Sequence, residues 1–248
     1  MNKILTIKDL SKRYHTPKGE IPAIKNINLE VKEHEIIGIV GSSGCGKSTL
    51  LNILSGLEPS TSGIIKHDNL QISYMLQSDA LLPWLNVLDN ACLGLELKKI
   101  KTKANVDYVK KLLTNFGLAS FFEAYPNNLS GGMKQRVALV RTLATKPDII
   151  LLDEPLSALD YVTRLTISDD IYALIKQAKV TTILITHDIA ECISICDRVI
   201  VLSKRPCEVK NIYQIVLSNP GLPSQNRQDE KFNYYYNLIW RDLDKDLS

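Results

Sequence analysis

Charge of one sign is what this chain has least of: 30 Lys and Arg stand against 27 Asp and Glu, a net +3 over 248 residues. Such a balance leaves no electrostatic footprint for nucleic acid, so no nucleic-acid partner is expected. Cysteine is sparse and scattered, at Cys45, Cys92, Cys192, Cys196 and Cys207. The set is odd in number and contains no C-x-x-C module, which argues against a zinc ribbon or a disulfide framework and for a reducing compartment. Long apolar runs are missing too. Ile149–Leu152 is typical of what there is, far below the roughly eighteen residues that span a bilayer. Met1–Asp9 carries charges where an export signal needs an unbroken apolar stretch, so export is not expected and any membrane role must come through a partner. Internal repeats and low-complexity tracts are absent, while 45% hydrophobic content supports a full core.

What is present begins with Ile36–Val40, an apolar run that reads as a buried strand, followed at once by Gly41-Ser42-Ser43-Gly44-Cys45-Gly46-Lys47-Ser48-Thr49. That segment satisfies G-x-x-x-x-G-K-[ST]. Its small residues let backbone N–H groups curl around phosphate oxygens, with Lys47 reaching the β- and γ-phosphates and Ser48 ligating Mg²⁺. Leu50, Ile53, Leu54 and Leu57 then recur at helical spacing as far as Pro59. A second phosphate-seeking helix start is expected at Ser130-Gly131-Gly132, where a capping Ser and two glycines open an apolar-periodic run. Two further continuous apolar strands follow. Ile149–Leu152 ends at Asp153-Glu154-Pro155, and Thr181–Thr186 ends at His187. Buried parallel strands place ligand sites outside their carboxyl ends, so the phosphate loop, the acidic pair and His187 should converge on one edge of a sheet.

These motifs, in this order, resemble the ATP-binding cassette of ABC transporters over most of residues 1–210. The resemblance implies an α/β P-loop NTPase: a mostly parallel sheet core, an N-terminal antiparallel β subdomain and an inserted helical subdomain. Residues 1–84 and 145–215 would form the catalytic core, 85–144 the helical subdomain and 216–248 a helical tail. It implies ATP and Mg²⁺ as ligands, with Ser48, Gln77 and Asp153 toward the metal, and Glu154, His187, Gln77 and Lys47 as catalytic groups. Tyr14 would stack on adenine. Ser130, Gly131, Gly132, Gln135 and Asp160, the last in the Ser157–Asp160 segment, would contact the nucleotide of a second subunit in a head-to-tail dimer. A Ras-like GTPase is disfavoured because no N-K-x-D motif occurs.

The stretch after Gln77 carries large apolar anchors, Leu81, Leu82 and Trp84, that suit either core packing or a docking surface. In ABC importers this loop receives the transmembrane subunit, and Leu-Leu-Pro-Trp resembles the nitrate, sulfonate and taurine subgroup. The implied assembly is two copies on the cytoplasmic face of the membrane, beneath two permease subunits and an extracytoplasmic binding protein, importing a small anion such as nitrate, sulfonate or taurine, or a related small nutrient. A soluble ABC switch protein and an exporter motor are the alternatives. Cys45 reads as a small filler whose oxidation could block nucleotide, and Cys192 and Cys196 as packing residues on a helix. The segment from Thr61 to Gln77 is short, and Ile64–Lys66 is expected to pair with Ile72–Met75 around His67-Asp68-Asn69.

Overall fold

A six-stranded sheet runs through the molecule. The computed structural model describes residues 2–157 and 159–244. Its strands are β1 (Lys3–Thr16), β2 (Gly19–Lys32), β3 (Ile36–Val40), β4 (Ser62–Lys66), β5 (Ile72–Met75), β6 (Ile149–Asp153), β7 (Thr181–Ile185), β8 (Arg198–Leu202) and β9 (Val209–Gln214). The helices are α1 (Lys47–Leu54), α2 (Val87–Leu97), α3 (Lys103–Asn115), α4 (Gly131–Leu143), α5 (Tyr161–Ala178), α6 (Ile189–Ile195), the short α7 (Pro223–Asn226) and α8 (Phe232–Asp244). One sheet runs β5-β6-β7-β3-β8-β9, parallel except for β9, and a second, antiparallel sheet runs β2-β1-β4.

Every residue of β3, β6 and β7 is buried, as strands covered on both faces must be. Successive side chains alternate between the two covers. Ile37, Ile39, Leu151, Ile183 and Ile185 join α1 and the antiparallel sheet in one core. Ile36, Val40, Ile150, Leu152 and Leu184 join helices α2 to α6 in the other. Gly38 is a point of close approach between the sheet and α6. A Cβ there would lie 2.7 Å from the sulfur of Cys192 on α6 and 2.8 Å from that of Cys196 just past its end, so both thiols occupy the space a side chain would need.

Two local expectations fail. Ile64–Lys66 and Ile72–Met75 do not pair with each other. β4 joins β1, with Thr6 opposite Lys66 and Lys8 opposite Ile64, whereas β5 joins β6 in parallel, with Ile72 opposite Ile149. The intervening turn, with Asn69 at φ 49° and the Leu70 N–H donating to His67 Nδ1, redirects the chain from one sheet to the other. Each run has an open sheet edge to join, which a local hairpin would leave unpaired. The helix opened by Lys47 also stops at Leu54, before Leu57, because Gly56 takes φ 78° and ends it; Leu57 is 69% exposed. Of the expected tail 216–248, residues 245–248 lie outside the described residues, as does Ala158 within the Ser157–Asp160 segment.

Candidate functional site

β3 delivers the chain into the Gly41–Gly46 loop and α1 leaves it. Gly44 and Gly46 sit at φ 73° and 133°, conformations that favour glycine. A Cβ at Gly46 would also lie 2.9 Å from the Ala23 carbonyl oxygen. Lys47 is buried at the first position of α1, and its ammonium donates to the carbonyls of Gly41 at 2.9 Å and Ser42 at 3.0 Å. These contacts bend the loop around its own cation and leave Ser48 exposed at its mouth.

The ends of β5, β6 and β7 bring Gln77 and His187 to one carboxylate oxygen of Glu154. Glu154 leaves β6 with φ 47°, its N–H donating to the Ile185 carbonyl at 2.8 Å, which turns the side chain out of strand register. Its Oε2 accepts from Gln77 Nε2 at 3.0 Å and lies 3.2 Å from His187 Nδ1. Asp153, one residue earlier, is buried and accepts from the Tyr74 hydroxyl at 3.0 Å. Burial, and then the Asp153 carboxylate, push the Tyr74 phenol well above its ordinary range, so this tyrosine stays a hydrogen-bond donor. Ser48, Gln77 and Asp153 offer hydroxyl, amide and carboxylate oxygens. A donor set of that kind suits a hard cation that keeps its remaining positions for water and phosphate.

A depression of about 270 Å³ joins the two halves, lined by the loop from Ser43 to Thr49 with Gln77, Glu154 and Arg205. A larger cavity, about 420 Å³, lies at the opposite end of β6 and β7 beside Lys146, Asp148 and Lys179. It is remote from the strand carboxyl ends, where open parallel sheets hold their ligands, and no motif maps to it. Tyr14 sits to one side of the smaller depression. Its hydroxyl donates to Glu58 at 2.9 Å, lies 3.3 Å from that of Thr49, and its ring lies 5.1 Å from the Lys12 ammonium.

The second expected helix start is real but elsewhere. Ser130 caps α4 by accepting from the Met133 N–H, and Asp160 caps α5 by accepting from the Thr163 N–H at 3.0 Å. Those contacts with Thr163 hold the Asp160 carboxyl below its usual range. A Cβ on Gly131 would touch Leu159 at 3.9 Å, so these two helix starts are neighbours. Neither lines the depression at the phosphate loop. Gln135 is buried, and its Oε1 has no hydrogen-bond partner among the described residues.

After Gln77, Arg141 grips the carbonyls of Asp79 and Ala80 at 2.6 and 2.8 Å, and Asn90 bonds both the N–H and the carbonyl of Leu82. On this fixed loop Leu81 packs against the core, Leu82 is half-buried and Trp84 is 70% exposed.

Several residues around the site lie outside the sequence motifs. Arg205 reaches the phosphate loop from far along the chain, donating to the Gly44 carbonyl at 2.9 Å. Arg164 donates to the Leu159 carbonyl at 3.0 Å and to Asp188 at 3.4 Å, tying the loop before α5 to the residue after His187. On the other side of His187, the Thr186 hydroxyl lies 2.6 Å from buried Glu191. The last of these could have been suspected, since a glutamate four residues past a strand-end histidine falls on the buried face of the helix that follows.

A family described as ABC transporter matches residues 24–157. An uncharacterized ABC transporter ATP-binding protein of Methanocaldococcus jannaschii is 40% identical over 87% of this chain and 84% of its own length. A taurine import ATP-binding protein of Ruegeria pomeroyi is 36% identical over 98% and 96%. A nitrate import ATP-binding protein of Synechocystis is 37% identical over 88% and 84%. Among solved structures, the dimeric post-hydrolysis state of the ATP-binding cassette MJ0796 with ADP and Pi superposes with a TM-score of 0.76 at 33% identity, over 86% of this chain and 99% of that one. With a phosphate loop facing an acidic strand end, and likeness along nearly the whole chain to cassettes, one of them holding the products of hydrolysis, the chain belongs to the ABC transporter family as an ATP-hydrolysing cassette.

Proposed function

We propose that this cassette powers import of a small anion, of the nitrate, sulfonate or taurine kind. It would work as a dimer on the cytoplasmic face of the membrane, beneath two permease subunits supplied by an extracytoplasmic binding protein. The substrate class rests on the relatives, named for taurine, nitrate and bicarbonate transport. No helix of the described residues is long and apolar enough to cross a membrane, so permeation itself falls to partners.

The observation that carries the catalytic reading is the meeting of Gln77, Glu154 and His187 at one carboxylate oxygen beside the phosphate loop. Hydrolysis of ATP needs an in-line water and compensation of phosphate charge more than covalent chemistry. Glu154 is the base that orients and polarises the water, and His187 holds that carboxylate and the γ-phosphate in line. Lys47 exchanges its carbonyl partners at Gly41 and Ser42 for phosphate oxygens, while the backbone N–H groups from Ser42 to Thr49 cradle them. Ser48, Asp153 and Gln77 hold Mg²⁺, which supplies charge neutralisation when bound. Tyr14 stacks on adenine. Because Ser130–Gly132, Gln135 and Asp160 lie off this depression, they serve the nucleotide of the second copy, and the depression is closed by the same residues of that copy.

Glu154→Gln tests the assignment. The amide keeps the shape and loses the base, so ATP still binds, turnover falls by about 10² to 10⁴, and the protein accumulates as an ATP-dependent dimer in size-exclusion chromatography. A variant that hydrolyses ATP near the native rate would remove Glu154 from its role.

A further inference from the structure

His187 meets Glu154 with a side chain that is 55% exposed, its Nδ1 3.2 Å from Glu154 Oε2. A ring so open to solvent gains little from packing, so its place is set by the backbone that carries it. That backbone is anchored through the residues on either side. Before His187, the Thr186 N–H donates to the Ile39 carbonyl of β3 at 3.2 Å, and the Thr186 hydroxyl lies against buried Glu191. After it comes Asp188, whose two carboxylate oxygens have separate partners. Oδ1 caps α6, accepting from the N–H groups of Ala190 and Glu191 at 2.8 and 3.2 Å. Oδ2 takes no part in the cap and faces Arg164 Nη1 at 3.4 Å.

Arg164 has its own footing. It stands in the first turns of α5, an 18-residue helix whose Ile167, Ile171, Leu174 and Ile175 are buried in the core. Its Nη2 donates to the Leu159 carbonyl at 3.0 Å. The side chains of Arg164 and Asp188 are each 25% exposed, sheltered enough that salt screens the pair less than it would in open solvent. Starting α6 requires only Oδ1, so the contact with Arg164 serves something other than the helix cap.

We propose that Arg164 is a positioning residue for hydrolysis: through Asp188 it holds the turn that carries His187, keeping the imidazole on Glu154 Oε2. The inference rests on the reading of Glu154 and His187 as the hydrolytic pair.

A guanidinium suits this task because its planar fork offers two N–H groups in fixed directions. One is taken by Leu159 and the other by Asp188, which sets the distance between the start of α5 and the end of β7. Without the arginine, Asp188 keeps its cap and Thr186 keeps its anchor on β3, but the turn between them loses its tie to α5. A displacement of about 1 Å in a positioned group costs about a hundredfold in rate. Arg164 does not line the depression at the phosphate loop, so the loss falls on turnover and leaves ATP binding unchanged.

The full chain carrying Arg164→Gln, Asp188→Asn or both is compared with the wild type in steady-state ATPase assays. Asp188→Asn keeps a capping oxygen, removes the charge and leaves the Leu159 contact intact. Each single variant should lower kcat by about tenfold to a hundredfold at an unchanged KM for ATP. The double variant should be no slower than either single one, since both substitutions break the same tie. Added to Glu154→Gln, Arg164→Gln should still allow the ATP-dependent dimer in size-exclusion chromatography. A native kcat in Arg164→Gln, a loss carried by KM, additive losses in the double variant or loss of the dimer would each overturn the proposal. A native rate in Asp188→Asn beside a slow Arg164→Gln would overturn it too, because the effect would then run through Leu159. Should Arg164→Gln fold poorly, the kcat and KM of Asp188→Asn still decide. A native rate in His187→Ala would instead refute the hydrolytic pair itself.

Discussion

Removing the carboxylate of Glu191 should change how stability depends on pH, and the size of the change follows from its surroundings. Glu191 is buried on α6, with Oε2 against the Thr186 hydroxyl and Oε1 without a partner among the described residues. Burial is the main cause that pushes its carboxyl up to about 7. Asp188 adds to the rise, while the Thr186 hydroxyl and the guanidinium groups of Arg164 on α5 and Arg227 beyond α7 oppose it. An unfolded glutamate titrates near 4.3, so between those two values the folded state binds a proton that the unfolded state does not. Stability therefore falls as pH rises. The contribution is fully present below the unfolded value and gone above the folded one. A rise of two to three pH units at 1.36 kcal/mol each is worth roughly 3 kcal/mol, most of it lost between about pH 5 and pH 8. Glu191→Gln keeps the shape and a partner for Thr186 without the titration. Thermal melts of the nucleotide-free protein across that range should show the variant gaining on the wild type as pH rises, by roughly 6 to 12 °C in total at 2–4 °C per kcal/mol. Two curves that stay parallel from pH 5 to pH 8 would show that Glu191 does not hold a proton in the fold.

Lys47→Ala should abolish nucleotide binding, whereas Ser130→Arg should leave binding to a single subunit intact and block dimer closure. Mixing the two variants places both lesions on one composite site and spares the other, so ATPase activity should partly return; a mixture as inactive as its components would rule out the head-to-tail arrangement. Replacing Leu82 and Trp84 together with Ala should uncouple the cassette from its permease rather than inactivate it, because loss of interface anchors typically costs about 2 kcal/mol or more of binding. The isolated variant should keep its basal ATPase while the activity stimulated in the assembled transporter falls. Joint loss of heat stability and basal activity would instead mark the loop as core packing.

Local chemistry with a rigid spacing was legible in the sequence, and chemistry assembled across the chain was not. The phosphate loop announces itself because glycines and a lysine are all needed within nine residues, and the acidic pair because β6 ends where its apolar run ends. His187 could be read the same way, from the end of β7. The pairing of Ile64–Lys66 with Ile72–Met75 was misread because two short apolar runs around a turn look alike whether they meet each other or part to separate sheets. Only the presence of β1 and β6 with open edges decides between the outcomes. The end of α1 was overrun because apolar spacing continues to Leu57, although Gly56 has already stopped the helix. Arg205, Cys207 and Arg164 act on motifs distant in the chain, so no local pattern marks them. Such residues share one physical role. Each fastens a functional loop to a neighbouring element: Cys207 and Arg205 behind the phosphate loop, Arg164 between Leu159 and Asp188. The loops carry the chemistry in their own sequence, but their positions relative to one another are set by these distant contacts. That division explains why the candidate residues could be named in one dimension while the contacts that hold their loops in place required the fold.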